Sequence, residues 1–118
     1  MRRMLVVDDE RDICDCLQHF FTSRGFAVEW VFSGEEAIAR LRDTSPDVVV
    51  LDVLLPGVSG LEVLKHLKAR RPTIPVVIIT GSQEPELRTQ AIHHGAADFI
   101  TKPFDFSDAT WSAVLNGR

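Results

Sequence analysis

Val48-Val49-Val50-Leu51-Asp52-Val53-Leu54-Leu55-Pro56 is the stretch whose reading decides the fold. An apolar run without alternation ends in a carboxylate. Continuous apolar runs mark strands buried on both faces, as in parallel sheets covered by helices. The same pattern recurs at residues 4–7, 76–79 and, more weakly, 97–101. A fifth run, Phe26-Ala27-Val28-Glu29-Trp30-Val31-Phe32, carries a charge at its centre. That suits an edge strand, where a charge discourages stray pairing.

Helical spacing fills the gaps. Ile13, Leu17, Phe20 and Phe21 recur at helical intervals, and Gly25 follows as a stop. Ser33-Gly34-Glu35-Glu36 has the form of a capping box ahead of Ala37, Ile38 and Leu41. A third helix opens at Ser59 or Gly60, carries Leu61, Leu64 and Leu67 on one side, and ends by Pro72. Pro85 suits the first turn of a fourth, with Leu87, Ala91 and Ile92 inward and Gly95 at its end. Residues 107–115 read as a fifth helix with a poor stripe of Ala109, Ala113 and Val114. Strand and helix alternate five times, which implies an α/β fold with helices on both faces of a parallel sheet.

Composition narrows the function. A chain of 118 residues suits one domain, residues 1–118, and 45% hydrophobic content excludes a disordered tail protein. A net charge of -4 and a pI near 5.5 argue against direct nucleic-acid binding. The longest apolar runs hold four residues, against the roughly 20 a membrane span needs. Asp8, Asp9 and Glu10 cut the N-terminal apolar stretch too short for a signal peptide. Cys14 and Cys16 would point to different faces of a helix, one a small core residue and the other partly exposed. A reducing, cytoplasmic setting is expected, with no membrane association.

The chemistry gathers where open α/β sheets keep it, at the C-terminal ends of strands. The first strand ends in Asp8-Asp9, the third in Asp52, the fourth in Thr80-Gly81 and the fifth in Thr101-Lys102-Pro103. Alone, each is an ordinary cap, turn or surface residue. Together, three carboxylates at one rim repel by roughly 1–4 kcal/mol per pair at 4 Å, so the set calls for a cation. Oxygen ligands and an incomplete shell suit Mg2+. An aspartate beside that ion and a lysine is a candidate nucleophile toward phosphorus, and Thr80 can donate its hydroxyl to a phosphate oxygen.

The chain resembles a response regulator receiver domain, the phosphoacceptor half of two-component signalling. The likeness runs from Leu5-Val6-Val7-Asp8-Asp9-Glu10 through Leu51-Asp52-Val53-Leu54-Leu55-Pro56-Gly57-Val58-Ser59-Gly60 to Ile79-Thr80-Gly81 and Gly95-Ala96-Ala97-Asp98-Phe99-Ile100-Thr101-Lys102-Pro103-Phe104. It implies a flavodoxin-like (βα)5 sandwich with strand order 2-1-3-4-5. It implies that Asp52 accepts the phosphoryl group, that Asp9 binds Mg2+ directly with Asp8 acting mainly through water, and that Asp52 and the Leu54 carbonyl complete the protein ligands. Lys102 would pair with the phosphoryl group, Thr80 and Phe99 would form a switch pair, and Pro103 would follow a cis peptide bond.

The implied partners are a sensor histidine kinase or a phosphotransfer protein. Any output domain would lie beyond residue 118, and whether one exists is left open. The face of the fourth helix, fifth strand and fifth helix, with Arg88, His93, Phe99 and the region of Trp111, would contact partners or a second copy. Trp111 can equally be fifth-helix packing, and the weak stripe there puts a dimer through this face in doubt. Phe99 stands where the family often has Tyr, so its rotamer would report packing alone. Leu54 would hinder attacking water and prolong the phosphorylated state. The rivals are a haloacid-dehalogenase-like phosphatase, whose second aspartate would fall at Leu54, and a phosphorylation-independent interaction module. The expectation is a signalling domain with self-catalysed phosphotransfer, not an enzyme acting on external substrates.

Overall fold

Neighbouring side chains of a strand point to opposite faces, so a run that is apolar at every position must be covered twice. The computed structural model describes residues 1–116 and shows that double cover. The strands are β1 (Arg2–Val7), β2 (Phe26–Val31), β3 (Val48–Asp52), β4 (Val76–Thr80) and β5 (Asp98–Thr101). Between and after them come α1 (Arg11–Thr22), α2 (Gly34–Asp43), α3 (Gly60–Arg70), α4 (Pro85–His93) and α5 (Ser112–Leu115). All pairings are parallel, in the order β2-β1-β3-β4-β5, the flavodoxin-like arrangement.

Strand parity divides the core. Met4, Val6, Val48, Val50, Val77, Ile79 and Ile100 pack with Cys14, Leu17 and Phe21 of α1 and with Trp111 and Val114. Leu5, Val7, Val49, Leu51, Val76, Ile78 and Phe99 pack on the other side with residues of α2, α3 and α4, including Ala37, Leu64 and Ala91. Glu29 on edge strand β2 reaches Arg40 at 3.3 Å, so the edge charge is partnered from α2. The caps form as read. Ser33 Oγ accepts from the Glu36 N–H at 3.1 Å, and Glu36 Oε1 accepts from the Phe32 N–H at 3.1 Å. Ser59 Oγ accepts from the Glu62 N–H at 3.3 Å to start α3.

Three expectations are corrected. Ile92 is 47% exposed. Leu87 and Ala91 are four apart and share the inward face of α4, while Ile92 sits about 100° further round. The fifth helix is shorter than expected, because Asp105 holds the segment before it in turns. Its Oδ1 accepts from the Ser107 N–H and the hydroxyls of Ser107 and Thr110, at 3.2, 2.8 and 2.6 Å. Such local side-chain bonds compete with helix formation. Trp111 is fully buried rather than part of a partner surface. Its Nε1 donates to the Asp105 carbonyl at 2.8 Å, and its ring meets Phe21 and Phe104 edge-on. The domain reading also takes in Gly117 and Arg118, which lie outside the described residues.

Cys14 is buried on α1 and Cys16 is exposed. Burial, then the charge of Asp8, pushes the Cys14 thiol up to about 12, so it stays protonated throughout the neutral range. A thiol reagent at mildly alkaline pH should modify Cys16 alone in the native protein and Cys14 only after unfolding. Two fast-reacting native thiols would contradict the packing of α1.

Candidate functional site

The parity that divides the core also delivers the charges. On β1 the side facing α1 runs Met4, Val6 and next Asp8; on β3 it runs Val48, Val50 and next Asp52. The register Val7↔Leu51 carries Asp8 level with Asp52 at the rim. On β5 the same parity runs Ile100 and next Lys102. Thr80 has the opposite parity, with Val76 and Ile78. The Lys102 backbone N–H donates to the Thr80 carbonyl at 2.7 Å, and the Lys102–Pro103 peptide bond is cis.

The Lys102 ammonium is the hub. Its Nζ stands 2.9 Å from Asp8 Oδ2, 2.9 Å from Asp52 Oδ2 and 2.7 Å from Glu10 Oε1. Asp8 and Asp52 are buried, and only 12% of the Lys102 side chain is exposed. Asp52 Oδ1 accepts from the Leu54 N–H at 2.9 Å, and Asp8 Oδ1 accepts from the Glu10 N–H at 2.9 Å. Asp8 Oδ2 is different. It is buried and faces Lys102 as an ion pair, yet it accepts no aligned hydrogen bond among the described residues.

Burial raises the Asp8 and Asp52 carboxyls above their ordinary value, although Lys102 pulls both down. Burial alone would lower the Lys102 ammonium, but its contacts with Glu10, Asp8 and Asp52 outweigh that and raise it. Two reluctant anions are thus held beside one secure cation.

The convergent carboxylates are Asp8, Glu10 and Asp52, whose oxygens lie within 4.8 Å of one another. Asp9 is exposed and stands outside this group. Glu10 is absent from the sequence-based site, and its one available signal was its place in the run Asp8-Asp9-Glu10. The donor set fits a hard cation such as Mg2+, and the orphaned Asp8 oxygen is a ready ligand position. Thr80 is buried, and its Oγ1 accepts from the Ser82 N–H at 3.1 Å. Phe99 is 8% exposed, with the Arg88 guanidinium 5.6 Å from its ring centroid. Leu54 is 55% exposed beside the rim. Gly60 abuts the main chain at the end of β3, where a Cβ would fall 2.1 Å from the Asp52 carbonyl oxygen. No side chain larger than hydrogen fits there.

A parallel sheet with a lysine-bridged acidic pocket at its C-terminal rim defines an α/β module built around a buried aspartate. The chain belongs to the response regulator receiver domain family, whose model matches residues 4–111. It is 37% identical over 103 residues to the alkaline phosphatase synthesis transcriptional regulatory protein PhoP of Bacillus subtilis, covering 87% of this chain and 43% of that protein. It is 36% identical over 104 residues to the DNA-binding transcriptional regulator NtrC of Klebsiella pneumoniae, covering 88% of this chain and 22% of that one. The chain therefore spans less than half the length of these relatives. Among solved structures, the receiver domain of NtrX from Brucella abortus superposes with a TM-score of 0.88 at 36% identity, covering 97% of this chain and 96% of that one.

An acid with a raised folded-state pKa favours folding below its unfolded value, and that contribution is lost as pH rises through the folded value. At neutral pH the charges of Asp8 and Asp52 therefore cost stability. Asp8→Asn leaves Lys102 two carboxylates. In chelator at neutral pH this variant should melt several degrees above the parent, the scale of about 1 kcal/mol for a small domain. The gain should shrink as pH falls toward the ordinary carboxyl value of 3.8. A variant that melts below the parent at neutral pH would refute this account of the pocket.

Proposed function

We propose that this chain is a single receiver domain acting as a phosphorylation-dependent switch, with Asp52 as the phosphoacceptor. The carrying observation is the buried Asp52 carboxylate, held at one oxygen by the Leu54 N–H and at the other by Lys102. Asp52 attacks phosphorus as the P–N bond of a phosphohistidine on a sensor kinase or phosphotransfer protein breaks. Leu54 and Lys102 hold the carboxylate in a fixed orientation for that attack. Lys102 then pairs with the transferred group. Asp9, Asp52 and the Leu54 carbonyl, with Asp8 mainly through water, would hold Mg2+, which when bound would neutralise charge on that group.

The new group brings negative charge and acceptor oxygens to the rim. Thr80 turns its hydroxyl toward them and gives up its bond from Ser82. Phe99, already buried on the same side of the sheet, repacks toward the space released. The readout surface is then the exposed part of α4 and the β5 region, with Arg88 and His93 at its front and without Trp111. An output domain, a partner protein or a second copy would contact that surface. The phosphatase alternative lacks support at Leu54, which offers no acid or base.

Incubation with Mg2+ and acetyl phosphate should raise the protein's mass by one phosphoryl group. Asp52→Asn should abolish the gain, and Lys102→Ala should slow it by roughly 10²–10³-fold, the scale for one electrostatic group at a transferring centre. Continuous phosphate release would indicate the phosphatase, and no mass gain would indicate an interaction module. Leu54→Asn should shorten the phosphorylated lifetime, measured as phosphate release from the loaded protein. An unchanged lifetime would remove Leu54 from the account.

A further inference from the structure

Remote from the rim, the C-terminal halves of α2 and α3 enclose a pocket of about 220 Å³. One water needs roughly 10–15 Å³, so this space admits a group of several heavy atoms. Leu41 and Leu67 form its floor, and its polar walls are Arg42, His66, Arg70 and Arg71. No carboxylate lines it, and none of the three arginines forms an ion pair among the described residues. Such a concentration of unpaired cations is unexpected in a protein of net charge -4.

Helix ends offer a simpler account, since cations complement the negative C-termini of helices. It covers Arg71, whose Nη2 reaches the Leu41 carbonyl at the end of α2 at 3.4 Å. It also accounts for the place of Arg42 and Arg70 in the last turns of α2 and α3, but not for their facing one hollow with no hydrogen-bond acceptor or ion partner among the described residues. Two free guanidinium forks and an imidazole around one hollow match the planar, bidentate recognition of phosphate oxygens.

We propose that the α2–α3 pocket is a binding site for a diphosphate-type anion, held by Arg42, Arg70 and Arg71 with His66 between them. A hollow of this volume favours a compact ligand over an extended polyanion such as nucleic acid. Burial and the charges of Arg70 and Arg42 hold His66 below the ordinary imidazole value, so a bound anion would raise it.

The test is calorimetric titration of the chain with pyrophosphate in magnesium-free buffer, with the His66 ring followed by NMR across pH. Saturable binding and an upward move of the His66 midpoint are expected, with chloride at equal ionic strength giving neither. The double variant Arg42→Gln/Arg70→Gln should lower the affinity by about 100-fold, near tenfold per charge-assisted contact. Its melting temperature and its phosphorylation at Asp52 should stay unchanged. A nucleoside diphosphate arm separates a bare anion from a nucleotide, and saturable binding of either supports the site. Absence of saturable binding, unchanged affinity in the double variant, or tighter binding of duplex DNA than of pyrophosphate would overturn it.

Discussion

One ammonium shared by three carboxylates is the constraint on which the rim depends. Removed from bulk water, Asp8 and Asp52 would repel each other and neither would ionise readily. Lys102 makes their joint ionisation tolerable, from the end of a different strand and fifty residues further along the chain than Asp52. The arrangement is incomplete by design of its donors: Lys102 supplies one charge against three. The Asp8 oxygen that faces it finds no aligned donor. A pocket with surplus negative charge and an unsatisfied buried oxygen is poised for a cation, and a resident hard ion would relieve both faults at once.

The sheet produces this geometry without any dedicated scaffold. Apolar runs of matching parity on β1, β3 and β5 end in Asp8, Asp52 and Lys102. Parallel register brings those ends to one edge. A one-residue slip of any of these strands would turn its charged terminus to the other face and bring a different side chain to the rim. The apolar pattern that stabilises the core is therefore the same pattern that aims the functional groups. Gly60 adds a local condition, since α3 can start against β3 only where no Cβ intervenes.

This explains what was legible in the amino-acid order. Val48 to Leu51 and its counterparts announced doubly covered strands, and a carboxylate at the end of such a strand has few places to go. Convergence of Asp8, Asp52 and Lys102 followed from topology alone. Glu10 was not legible, because it lies beyond the strand in a loop whose path periodicity does not describe. The shortened fifth helix was missed for a related reason. Asp105, Ser107 and Thr110 form a side-chain network that competes with the helical pattern, and that competition leaves no periodic trace. Trp111 was ambiguous because a large aromatic on a weak stripe serves equally at a surface or in a core. Its bond to the Asp105 carbonyl decides for the core.

The rim and the opposite face are joined through very few atoms. Thr80 spends its carbonyl on the Lys102 N–H and its hydroxyl on the Ser82 N–H, so one residue ties the hub to the loop that leads into α4. Its parity is that of Phe99, the side covered by α3 and α4 rather than α1. A side-chain rotation that carries the hydroxyl away from the loop would break its bond from Ser82, while the carbonyl bond can persist and keep Lys102 in place. The two bonds thus separate a fixed function from a movable one. A serine would keep both polar atoms and lose only the methyl that packs among β4 neighbours, whereas a valine would keep the packing and lose the link to Ser82. The tie between the hub and the loop before α4 therefore resides in an oxygen atom and not in bulk.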